Sequence, residues 1–163
     1  LDPRVTATPE ALRARLDAMQ RAADLQTRLV DALDLISNRK ADLQRQKALL
    51  EQQQASAKRA DPTRVPDDSD PLAIALKTVE TTTKALEEAA KGLWMDPATT
   101  KGYVPPTAAM DKLNEAMWML DGSLDAPTPA ALSYLERAAT LVETRIASAT
   151  EAVAKAEVPQ SAP

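Results

Sequence analysis

Residues Thr8 to Lys58 read TPEALRARLDAMQRAADLQTRLVDALDLISNRKADLQRQKALLEQQQASAK, a run with no glycine and no proline after Pro9. Its apolar residues fall at Leu12, Leu16, Met19, Ala22, Leu25, Leu29, Leu33, Ile36, Leu43 and Leu50, mostly three or four apart. That spacing places them on one face of a helix, so the run predicts a single helix over 9–58 with one buried stripe. At ~1.5 Å per residue such a helix reaches about 75 Å. Ser37-Asn38 is its weak point, but with neither Gly nor Pro there the helix is expected to continue. After Leu43 the stripe thins into Gln44, Gln46 and Gln52 to Gln54, so the far end is expected to fray or stand clear of the bundle.

The same helix-starting chemistry recurs twice more. Thr8-Pro9, Asp70-Pro71 and Thr128-Pro129 each set a side-chain acceptor before a proline. The acceptor satisfies a free backbone N–H, and the proline's fixed φ suits a first helical position where its missing donor is not needed. A second helix is predicted over 71–93, with a four-three seam of Leu72, Leu76, Val79, Thr83, Leu86, Ala90 and Leu93 and with Gly92 near its C-terminal cap. A short third helix over 108–120 turns Met110, Leu113, Met117 and Leu120 inward and stops at Gly122. A fourth, over 129–156, carries Leu132, Leu135, Ala139, Val142, Ile146, Ala149 and Val153. Pro62 and Pro66 mark a linker over 59–70, and Pro97, Gly102, Pro105 and Pro106 mark a loop over 95–107. The fold expected is all-α, an antiparallel bundle of about four helices with one long N-terminal member. Residues 9–157 form its single domain, 1–8 an extended link from an upstream domain, and 158–163 a disordered tail. The start at Leu1, with no basic or apolar leader, gives the expectation of a piece cut from a longer chain.

Composition supports the helical reading and removes several functions. Three Gly, no Phe, two Trp and two Tyr in 163 residues are poor material for sheets. Twenty Lys and Arg against 24 Asp and Glu give a net charge of −4, unlike a phosphate-backbone binder, so no nucleic-acid partner is expected. No apolar run reaches the length of about 18 residues that spans a bilayer, so no membrane insertion is expected. The chain has no His and no Cys, which removes imidazole bases, thiol nucleophiles and the usual nitrogen and sulfur metal ligands. No catalytic, cofactor or metal residue is assigned, and the chain is not expected to be an enzyme.

Three polar groupings read as surface charge rather than as sites. Asp67, Asp68 and Asp70 lack the Gly and the closing Glu of a calcium loop and are expected to be a solvated linker, with Asp70 as a helix cap. Glu87 with Glu88, and Glu136 with Glu143, do not face each other across a cleft as glycosidic acids must. The mixed charges Arg13, Arg15, Asp17, Arg21, Asp24, Arg28 and Asp31 are expected to form a solvated face of the first helix. A cluster of Trp94, Met95, Trp118 and Met119 is the candidate interface, since aromatic and methionine side chains make adaptable contact surfaces. The competing expectation is that the Pro-rich loop folds back and covers these rings as an end cap.

Two short stretches carry a resemblance. Lys112-Leu113-Asn114, followed by Ser123-Leu124-Asp125-Ala126-Pro127-Thr128 and a further helix, resembles the C-terminal helical region of bacterial sortilin-like, BNR-repeat propeller proteins. Leu1-Asp2-Pro3-Arg4-Val5 is similar to the extended link that leaves the propeller there. The first helix departs from that pattern at Ala22-Ala23-Asp24 and in its Gln-rich end. The resemblance implies an accessory domain of a secreted or periplasmic, glycosyl-hydrolase-associated protein, whose hydrolytic chemistry would lie in the propeller. The partners then expected are the upstream propeller of the same chain or a second copy. The alternative is an extracytoplasmic ligand-binding or sensor bundle that uses the Trp94 and Trp118 region as its pocket.

Overall fold

The computed structural model describes residues 7–61, 69–94, 107–122 and 126–156. Four helices account for nearly all of them: α1 (Pro9–Ala60), α2 (Pro71–Leu93), α3 (Ala109–Asp121) and α4 (Pro129–Lys155). No strand occurs among the described residues. The expected extended link, the acidic stretch 62–68, the loop 95–106 with Met95, and the C-terminal tail lie outside the described residues, apart from Ala7 and Thr8 of the link.

The three proline starts form as their chemistry dictates. Thr8 Oγ1 accepts from the Ala11 N–H at 3.2 Å, Asp70 Oδ1 from Leu72 at 3.0 Å, and Thr128 Oγ1 from Ala131 at 3.1 Å. Each leaves one fewer unsatisfied donor in the first turn, which fixes where the helix begins. The third helix starts at Ala109, after Ala108, which makes no side-chain cap bond. The first helix runs unbroken through Ser37-Asn38 for 52 residues, about 78 Å.

Inter-helix ion pairs give the directions. Arg21 pairs with Glu136 and Arg28 with Glu143, so α4 runs parallel to α1 in constant register. Lys40 meets Glu87 at 3.2 Å and Lys47 meets Glu80 at 2.9 Å, so α2 runs antiparallel to α1. Arg15 meets Asp121 at 3.2 Å, which brings the end of α3 beside the start of α1. Helices α2 and α3 therefore lie end to end along α1, touching each other little, and both pack on α4. The cross-section has three rails rather than four: α1, α4, and a third divided between α3 and α2. Of these rails, α1 and α4 run the same way and the divided one runs against them.

The core forms where the three rails meet. Leu29, Ile36 and Leu43 of α1, Leu86 and Leu93 of α2, Leu113 and Leu120 of α3, and Leu135 and Val142 of α4 are fully buried. Alanines fill the remaining inner positions, Ala18, Ala22 and Ala32 on α1 and Ala131, Ala138, Ala139 and Ala149 on α4. Small side chains there occupy the inner positions of both α1 and α4. The α4 seam accordingly starts at Ala131, and Leu132, expected inward, is 43% exposed.

The expected single stripe on α1 is also corrected. Leu12, Leu16 and Met19 are exposed, and the buried line runs instead through Ala18, Ala22, Leu25, Leu29, Ala32, Ile36 and Leu43. A step of three or four residues is compatible with several lines around a helix, because 3.6 residues make a turn. Apolarity alone did not separate them.

Fourth-helix contact ends at Ala156, whose carbonyl accepts from Arg39 Nε at 3.1 Å and from Nη2. A guanidinium on the last carbonyls favours the negative end of the helix. Beyond Arg39, the helix that pairs its charges with α1 among the described residues is α2, over roughly 30 Å of helix. There Leu49 is 60% exposed and Ile74 is 51% exposed.

Candidate functional site

The four residues of the candidate interface do not form one cluster. Met95 lies outside the described residues. Trp94 caps the C-terminus of α2 in an extended conformation and is 45% exposed. It borders a shallow depression with Val30, Leu33, Asp34 and Ala41 of α1. Trp118 projects from α3 and is 80% exposed. Its depression is lined by Met19 of α1 and by Met117, Leu120 and Asp121. From Met19 to Leu33 is ~20 Å along the helix axis, so the two rings do not close on one pocket. Met119 lies about 100° around α3 from Trp118 and packs, partly buried, against the core.

What joins the two rings is α1. Leu12, Leu16, Met19, Ala23, Gln26, Val30, Leu33 and Ser37 alternate four and three apart and make a second line beside the buried one. Leu16 is 62% exposed, Leu12 43%, Val30 45% and Met19 38%, while Gln26 and Leu33 are half-buried. This line runs beside the divided rail, with Trp118 near its lower part and Trp94 near its upper part. A bundle of three rails has left uncovered the face that a fourth would fill. In sequence the signal was visible as Leu12, Leu16 and Met19, but it was merged with the core stripe.

The polar groups have structural partners. Glu136 accepts from both guanidinium nitrogens of Arg21, one at 3.0 Å, and Glu143 likewise from Arg28, one at 2.7 Å. These hydrogen bonds, with the positive charge behind them, hold both carboxyls below the ordinary glutamate value. A glycosidic general acid needs the opposite shift. Glu87 is paired with Lys40 and Glu88 with Lys91 at 2.7 Å. Asp70 is the cap of α2, and Asp67 and Asp68 lie outside the described residues. No group of three or more His, Cys, Asp or Glu among the described residues is placed to hold a metal ion. No helix among them is long and apolar enough to cross a membrane.

The charged face of α1 is sorted by the fold rather than uniformly solvated. Between Leu12 and Ser37, Arg15, Arg21 and Arg28 each find a carboxylate on α3 or α4. Asp17, Asp24, Asp31 and Asp34 are exposed and have no ion-pair partner among the described residues. The Nε of Arg15 is buried without an acceptor, the cost of reaching Asp121 across the α1–α3 contact.

No family model, no curated protein and no solved structure matches this chain.

Proposed function

We propose that the chain is a non-catalytic helical interaction domain that holds a protein partner against the outer face of α1. The observation carrying this reading is the four-three line from Leu12 to Ser37, left exposed although its spacing is that of a helix-packing seam. Trp118 beside it adds a large aromatic surface that the bundle does not use. Exposed apolar groups that run contiguously along an element mark interaction sites more often than single exposed leucines do.

The chain contains no cysteine, which makes the test direct. A Leu16→Cys variant and a Thr144→Cys variant each carry one thiol in this domain, both at exposed positions. Maleimide labelling is compared in the purified chain and in the protein as it stands in the cells that make it. The expected result is protection at position 16, by about tenfold, with position 144 unchanged. Equal labelling of both sites in both settings would refute the reading.

The finer assignment is an appended C-terminal domain of a secreted or periplasmic BNR-repeat, glycosidase-like or sortilin-like protein. It is supported by Lys112-Leu113-Asn114, Ser123 to Thr128 and the opening Leu1 to Val5. The parent gene tests it. Repeated short β-strand signatures upstream are expected, and their absence would remove the assignment while leaving the interaction face to its own test.

A further inference from the structure

We draw no further inference here: the strongest candidate, the exposed apolar line of α1 from Leu12 to Leu33 beside Trp118 and Trp94, is the face already read as an interaction surface, and nothing in the structure shows what covers it.

Discussion

Leu86 and Glu87 are neighbours in sequence and about 100° apart around α2, and that angle decides what each contributes. Leu86 is fully buried, whereas Glu87 is exposed and holds Lys40. Truncating a packed leucine to alanine costs ~2–5 kcal/mol, while an exposed ion pair contributes about 0–1. Leu86→Ala should therefore lower the melting temperature by several degrees and Glu87→Ala should barely move it. Comparable losses in thermal melts would put α2 in the wrong phase. The same contrast separates Leu43, fully buried, from Leu49, six residues on and largely exposed. Leu43→Ala should be costly and Leu49→Ala close to silent.

The paired glutamates make a prediction about acid. Glu136 and Glu143 have carboxyls depressed first by hydrogen bonds from Arg21 and Arg28. A group whose folded pKa lies below its unfolded one contributes stability above the unfolded value, and that contribution is lost as pH falls through the folded value. The loss should begin below about pH 4.3, the ordinary glutamate value, and be small, because both groups face solvent. Thermal melts between about pH 5 and pH 3 should fall less steeply for a Glu136→Gln, Glu143→Gln double variant than for the wild type. Identical slopes would show that the pairs do not stabilise the folded state.

At the scale of an element, Gly92 shows how a sequence signal can be right in place and different in cause. It stands near the end of α2, where a glycine is expected to cap, yet the cap is Trp94 in an extended conformation. What Gly92 provides is space: a Cβ there would sit 3.3 Å from Cδ of Arg145. Arg145 is an exposed, flexible side chain and can shift by a few tenths of an ångström. Glycine inside a helix is about 0.5–1 kcal/mol less favourable than alanine. Gly92→Ala should then raise the melting temperature by a few degrees. A fall would mean that the close approach of α2 to α4 at this level is rigid.

For the whole molecule, the divided rail and the short α4 leave the two ends unequal. Around Leu29 and Ile36, three rails bury the inner residues completely, whereas past Leu43 the described residues leave Leu49 and Ile74 largely exposed between α1 and α2. Local opening is easiest where few apolar contacts protect the helix. Hydrogen exchange should be slowest in α1 between residues 22 and 36 and in facing α4, and markedly faster beyond residue 50 and at the start of α2. Uniform protection along α1 would require a partner over the Gln-rich end.

Much of this was fixed locally. Thr8, Asp70 and Thr128 cap with their own side chains, so three helix starts depended on nothing distant. The absence of Gly and Pro after Pro9 made α1 continuous, and the four-three seam of α2 was legible because its inner residues outrank their neighbours in size. Which of two lines on α1 would be buried was not legible. Leu12, Leu16 and Met19 are larger and more apolar than Ala18 and Ala22, yet the alanines are inside. The packing of α4 in parallel register decides this, because the line of α1 that lies between α4 and the divided rail is buried whatever the size of its side chains. The same packing took Arg15, Arg21 and Arg28 out of a face that reads as mixed in sequence and paired them on α3 and α4. Sequence determined the helices and their ends, which are set by neighbours within a turn. Which faces meet, and so which face is left over, was decided only in three dimensions, where sequence-distant residues compete for the same contact.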